Sequence, residues 1–292
     1  MFIIYALLAY VALLALVSTA VAVIIHALLW YESFGTPHEE RLRRLAREGL
    51  WRFFLGRVAI SAACQFFLLL TLPLGRLPSL ARPDKDASGP CVVFIHGLYN
   101  NPAVWLLWRR WFRQAGLPRQ YCPRYESLHQ DFMPAMRGVA AQVRAIMKEN
   151  PDRPIILVGH SLGGVIARRL LAEEDIAKRV AACVTVGAPH RGSSLGALGF
   201  GRLVDDLHPT SEVMLALQAF TPAAPVPALS LRSNVDAMVL PVDNSRPPAG
   251  SGFQDVETPT CGHVQFLYHP GVARMAIDFV QSSLAGRSAP SR

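Results

Sequence analysis

The chain has 292 residues, 51% hydrophobic and 17% charged, with 29 Lys and Arg against 21 Asp and Glu and a formal net charge of +8. That length and apolar content exclude a disordered chain and a small disulfide-stapled scaffold. The positive charge is scattered and carries no aromatic-basic binding motif, so it fits an acidic membrane surface and argues against nucleic acid as a partner.

From Phe2 to Leu29 no Asp, Glu, Lys or Arg occurs, and the run is longer than the roughly 20 apolar residues that cross a bilayer. A transmembrane helix is expected. A cleaved signal peptide would use Ala20-Val21-Ala22, but no basic segment precedes the run, which continues to Trp30 and Tyr31 as an interfacial belt would. Next, His38 to Glu48 sets arginines and leucines at helical spacing, with Arg52 and Arg57 following. An amphipathic helix in that place is a solvated connector or a contact for anionic lipid headgroups. A second apolar stretch, Val58 to Leu74, is interrupted by Ser61, Gln65 and Thr71 and either spans or lies in the interface. Residues 1–75 are therefore read as a membrane-anchoring region of one or two helices. Residues 76–90, rich in Pro, Asp, Lys, Ser and Gly, are read as a linker, and 91–292 as one domain long enough to bury a full core.

Within that domain Cys91-Val92-Val93-Phe94-Ile95 reads as a buried parallel strand. A helical run from Asn101 to Gly116 follows, with Trp105, Trp108 and Trp111 as a stripe suited to core or acyl-pocket packing, or to membrane docking. A strand near Tyr121 and an amphipathic helix from Met133 to Lys148 come next. This alternation predicts a doubly wound parallel α/β sheet. The apolar run Pro154 to Val158 then leads directly into Gly159-His160-Ser161-Leu162-Gly163 and a helical segment from Gly164 to Leu171.

Gly-x-Ser-x-Gly between a strand and a helix has chemical meaning. The turn lifts the serine clear of the sheet and leaves no room for side chains at 159 and 163, which are glycines. The helix that starts near Leu162 aims free backbone N–H groups at an oxyanion formed beside Ser161. Upstream, the first strand ends in His96-Gly97-Leu98, where Gly97 permits a close turn. Leu98 and Leu162 are thus the candidate oxyanion donors, with His96 and His160 as structural neighbours inside the two motifs.

Phe94-Ile95-His96-Gly97-Leu98, Gly159-His160-Ser161-Leu162-Gly163-Gly164 and Gly187-Ala188-Pro189-His190-Arg191-Gly192-Ser193 together resemble the α/β-hydrolase family, and within it bacterial lipases and esterases. The resemblance covers about two-thirds of the chain and implies an α/β-hydrolase fold. The third motif, after the strand Ala182 to Val186, is similar to the Gly-Thr-Pro-His-x-Gly-Ser stretch of true lipases, with Ala188 in place of Thr. The family order of Ser, then acid, then His directs the search downstream. Asp236 follows the strand-like Pro227 to Arg232 and precedes an apolar run ending in Pro241, and Asp243 is the alternative acid. His263 lies between the strand-like Phe253 to Glu257 and the final helix and is the candidate base; His269 is too close to that helix. Asp205, Asp206 and Asp255 are read as caps or loop and surface groups, and His190 as a support of its own loop.

Ser161, Asp236 and His263 would then cleave a carboxylic ester through an acyl-enzyme, with an acyl ester or lipid as substrate. A thioesterase, an acyl-cleaving phospholipase, an amidase, or an inactive scaffold for partner binding would carry the same pattern. The helical, leucine-bearing segment 194–222 is read as an insertion that is either a lid or a plain surface helix, with the Pro-rich tract to Pro227 as its return. No cofactor is implied. The 5 cysteines include no Cys-x-x-Cys pair, and no His-Glu-x-x-His or Gly-rich phosphate loop occurs. If both apolar stretches cross a bacterial inner membrane, the arginine-rich connector stays cytoplasmic and the catalytic domain lies in the periplasm.

Overall fold

The computed structural model describes residues 1–47, 49–77, 88–219 and 221–288. Most of the linker read at 76–90 lies outside them, as do Glu48 of the connector and Phe220 of the insertion.

The first apolar run forms helix α1 (Phe2–Ser33), and the connector forms α2 (Pro37–Leu45). Helix α2 starts where its sequence says it should: Thr36 Oγ1 accepts the His38 N–H at 3.2 Å, and Pro37 occupies the first turn. Glu39 and Glu40 pair one turn ahead with Arg43 and Arg44 at 2.6 and 3.1 Å. Helix α3 (Leu50–Thr71) begins eight residues before the apolar stretch at Val58 and continues as a 3-10 turn over Leu72–Arg76. Arginines at 52 and 57 do not interrupt it, because Arg57 is buried against the domain rather than left in an apolar medium.

The domain is a six-stranded, wholly parallel sheet in the order β2-β1-β3-β4-β5-β6. Its strands are β1 (Cys91–Ile95), β2 (Gln120–Tyr121), β3 (Ile155–His160), β4 (Val180–Val186), β5 (Ala228–Arg232) and β6 (Phe253–Glu257). Period-two alternation divides each strand between two cores. Cys91, Val93 and Ile95 face one core with Ile155 and Leu157, while Val92 and Phe94 face the other with Ile156 and Val158.

The first core is covered by α5 (Phe132–Glu149), with Val139, Ala140 and Val143 inward, and by α6 (Leu162–Leu170). The second is covered by α4 (Leu106–Gln114) and by the closing helix α10 (Pro270–Ser288). Trp105 and Trp108 are completely buried in this second core, and Trp108 Nε1–H donates to Phe266 O at 3.1 Å. Most of the tryptophan stripe is therefore core. Short helices α7 (Glu174–Ala177), α8 (Arg202–Asp206) and α9 (Glu212–Gln218) complete the domain.

The apolar helices do not stand apart from this domain. Ile25 and Leu29 of α1 and Leu42 of α2 share a buried cluster with Val235, Ala237, Leu240 and Val242. Arg41 also lies 3.8 Å from Asp243. The connector thus packs directly on the domain.

Candidate active site

In a parallel sheet wound in both directions, the crevice at the carboxyl ends of the strands is where side chains from different loops converge. Here β1 lies between β2 and β3, so the chain reverses its winding beside β1. The register aligns Ile95 with Gly159 and His160 with Val186, bringing the loops after β1, β3 and β4 to one edge.

Ser161 occupies the step from β3 to α6 with φ 55° and ψ −127°, a conformation disfavoured for any residue with a side chain. Close packing holds it there. A Cβ on Gly159 would stand 2.3 Å from Gly163 O, and one on Gly163 would stand 2.1 Å from Ile95 O. Both motif glycines are therefore required by backbone-to-backbone approach. The Ser161 N–H donates to Val186 O at 2.9 Å, tying the turn to the neighbouring strand.

The His96-Gly97-Leu98 loop is drawn against this turn. A Cβ on Gly97 would lie 3.0 Å from Ser161 Cβ. His96 Nδ1 is 2.9 Å from Gly97 O, its ring stacks on Tyr125 at 4.3 Å, and Tyr125 O–H donates to His96 O at 2.6 Å. Burial pushes His96 down to about 4, so it is a neutral support. Among the described residues, neither Leu98 N–H nor Leu162 N–H donates to a protein acceptor.

Asp236, in the loop after β5, is fully buried. Its Oδ2 and Oδ1 lie 2.8 and 3.0 Å from His263 Nδ1, and Oδ1 also accepts the Met238 N–H at 2.9 Å. The carboxylate therefore holds the Nδ1–H tautomer and leaves Nε2 free to take a proton. His160, next to the serine, lies with Nε2 3.0 Å from His263 O; a carbonyl only accepts, so that nitrogen carries the proton. Burial first, and the nearby His263 second, push His160 down to about 3, keeping it neutral.

Asp243, the alternative acid, is 62% exposed and bonds Arg246 at 2.9 Å, too much in solvent to orient a buried imidazole. Asp206 instead accepts the Phe132 N–H at 2.6 Å and caps α5. Asp255 pairs with Arg232 at 2.6 Å. His190 is held through Nε2 by Thr185 and Ser230 at 3.0 and 3.2 Å and takes no part in the cleft.

Two supports are not apparent in the sequence. Ser233 Oγ accepts the N–H groups of Val235 and Cys261 at 3.3 and 3.2 Å, joining the acid loop to the histidine loop. Gly187 has φ 56°, and a Cβ on it would lie 2.9 Å from the Phe266 ring and 3.2 Å from Asp236 Oδ2. The Gly-Ala-Pro-His pattern at 187–190 is the one sequence signal that points to it.

The strand order, the strained serine turn and the buried Asp-His pair are those of the α/β-hydrolase fold. The chain has that fold: residues 90–213 match the family model described as alpha/beta hydrolase fold. A metagenome-derived lipolytic enzyme is similar at 17% identity and TM-score 0.54, covering 67% of this chain and 95% of that one. The mature Bacillus licheniformis lipase BlEst2 matches at 19% identity and TM-score 0.54, with 69% and 94% covered. Paleococcus ferrophilus monoacylglycerol lipase matches at 15% identity and TM-score 0.51, with 67% and 96% covered. At these identities the likeness establishes the fold. No curated protein sequence matches the chain.

Proposed function

We propose that the chain is a membrane-seated serine hydrolase that cleaves carboxylic esters, with acyl-chain or lipid substrates. The observations that carry this reading are the buried Asp236–His263 pair and a serine held at positive φ, whose chain neighbour His160 has its ring 4.8 Å from that of His263. Ser161 attacks the acyl carbonyl as His263 Nε2 takes its proton, Asp236 stabilises the imidazolium, and the Leu98 and Leu162 N–H groups receive the oxyanion. Leaving-group departure gives the acyl-enzyme, and water repeats the attack.

An apolar substrate suits the surroundings. Tyr99, just after the His-Gly-Leu loop, donates its O–H to Phe200 O and accepts the Phe200 N–H at 2.6 Å. That bond holds the exposed Phe200, with Leu198 two residues before it, next to the oxyanion loop, and these two apolar side chains are the rim of the acyl-binding cleft in this reading.

Membrane seating rests on α1, long and apolar enough to cross a bilayer, and on the apolar α3, which lies along the domain at the interface; only 17% of either apolar window is buried. The domain sits on the side that carries the arginine connector, which the positive-inside rule assigns to the cytoplasm.

Replacing Ser161 with Ala tests the whole reading. Hydrolysis of a short p-nitrophenyl ester should fall by about three or more orders of magnitude, with loss of fluorophosphonate labelling. A variant that still turned over at the wild-type rate would remove the serine mechanism.

A further inference from the structure

Helix α3 is apolar, yet one of its faces carries Arg57, Ser61, Gln65 and Leu68, at helical spacing of four, four and three, and all four are buried. Ser61 and Gln65 satisfy each other, the amide Nε2–H donating to the hydroxyl at 3.0 Å. Arg57 reaches across 208 residues of sequence: its Nη2–H donates to Gln265 Oε1 at 2.8 Å, and Nη1 lies 3.4 Å from Thr260 O. The same Gln265 oxygen accepts the Gly262 N–H at 3.1 Å. A Cβ on Gly262 would stand 3.1 Å from Arg57 Nη2, so that backbone rests against the guanidinium. The residues held, 260, 262 and 265, bracket His263.

A buried cation is costly unless its hydrogen bonds are well made, and among the described residues no carboxylate pairs with Arg57. For stability alone an apolar side chain would serve this helix as well or better. Ionisable groups in apolar helices are kept for what they do, and here the partner is the loop of the catalytic base. The C-terminal end of α3 is tied to the domain as well: Asn101 Nδ2–H donates to Leu72 O at 2.9 Å, and Arg124 Nη2–H to Gly75 O at 2.7 Å. With both ends and one face on the domain, α3 is a wall of the catalytic unit. Trp51, Leu55 and Phe67 of the same helix are exposed.

We infer that helix α3 is a working part of the active site and that Arg57 is a positioning residue, holding the His263 loop through Gln265 and Thr260. This rests on the serine-hydrolase reading above and adds that helix α3 cannot be removed without slowing the chemistry. Asp236 fixes the imidazole from one side; the Arg57–Gln265 bridge fixes the backbone that carries it from the other.

The test uses the full chain in detergent micelles and compares wild type, Arg57→Met, Gln265→Met and the double variant. Each is measured for fluorophosphonate labelling rate, kcat and KM on a short p-nitrophenyl ester, and thermal melting. Arg57→Met should lower kcat and the labelling rate by roughly tenfold to a hundredfold, the effect of a small misplacement of a catalytic group. KM should be unchanged and the melting temperature equal or higher. The double variant should fall well short of the product of the two single effects, because both changes cut the Arg57–Gln265 bond and only the longer Arg57–Thr260 contact is lost in addition.

A folded Arg57→Met that labels at the wild-type rate overturns the inference, as does a melting loss without a kcat loss, or effects that multiply in the double variant. Should Arg57→Met fail to fold, Gln265→Met alone decides, by the same kcat and labelling criteria. If wild type itself takes no label, the serine-hydrolase reading fails instead.

Discussion

Asp236→Asn is the sharpest perturbation of this site, because the geometry dictates how the amide must sit. Oδ1 accepts the Met238 N–H at 2.9 Å, so the amide oxygen stays there and the NH2 falls at the Oδ2 position, 2.8 Å from His263 Nδ1. Two donors cannot face each other. Nδ1 must give up its proton and accept from the amide, and the imidazole then carries its proton on Nε2, where it cannot serve as base toward Ser161. The change is nearly isosteric and removes no packing, so the loss falls on the chemistry. By the magnitude of a wrong-tautomer histidine it is about 10⁴-fold in kcat, or roughly 5.5 kcal/mol of transition-state stabilisation. The assay is steady-state hydrolysis of a p-nitrophenyl ester alongside fluorophosphonate labelling, with Asp243→Asn as the control. Asp243 bonds only exposed or half-exposed arginines, so that control should stay within about twofold of wild type, as surface changes do. An Asp236→Asn enzyme within tenfold of wild type, or an Asp243→Asn enzyme that loses activity in its place, would refute the acid assignment.

Gly163→Ala should abolish folded protein rather than merely slow it, because the added methyl lies 2.1 Å from Ile95 O and a sheet backbone cannot retreat. Yield of monodisperse protein after purification checks this, and normal yield with full activity contradicts it. Stability should fall on acidification. His160 and His96 titrate at 6.5 when unfolded but only at about 3 and about 4 when folded, so below pH 6.5 the unfolded state binds the extra protons. Each group then costs about 1.4 kcal/mol per pH unit, or roughly 2 kcal/mol at pH 5. Chemical denaturation at pH 7.5 and pH 5 measures this, and equal midpoints would show that these rings are not held neutral. Replacing Leu198 and Phe200 with Ser should reduce hydrolysis of long-chain esters relative to short ones by about tenfold, the worth of a few lost methylene contacts. An unchanged ratio on octanoate and acetate esters removes the rim from the acyl site.

The serine turn was legible because its requirements are local. Two glycines, a preceding apolar run and a following helix all lie within a dozen residues, and the glycines are needed wherever such a turn occurs. The parallel sheet was legible for the same reason, since strands buried on both faces read as unbroken apolar runs such as Cys91 to Ile95. The acid was only half legible. Asp236 and Asp243 lie seven residues apart in the same stretch, and burial separates them, one fully enclosed against His263 and the other 62% exposed among arginines. Ser233, Gly187 and His160 support the site through contacts with residues far away in the chain, and contacts of that kind leave no periodic trace.

The amino-terminal region shows the division most plainly. Composition alone settled that two stretches here are apolar enough for a bilayer, because transfer from water depends on the side chains and their number. Where those helices lie was decided by tertiary packing. Arg57 reads from the sequence only as one more arginine after the connector, and in the fold it is the group that ties the apolar helix to the histidine loop. The serine turn was set by local backbone geometry, and local geometry is written in neighbouring residues. The Asp236–His263 pairing, the histidine loop and the packing of the apolar helices were set by which distant surfaces meet, and that is known only once the chain has folded.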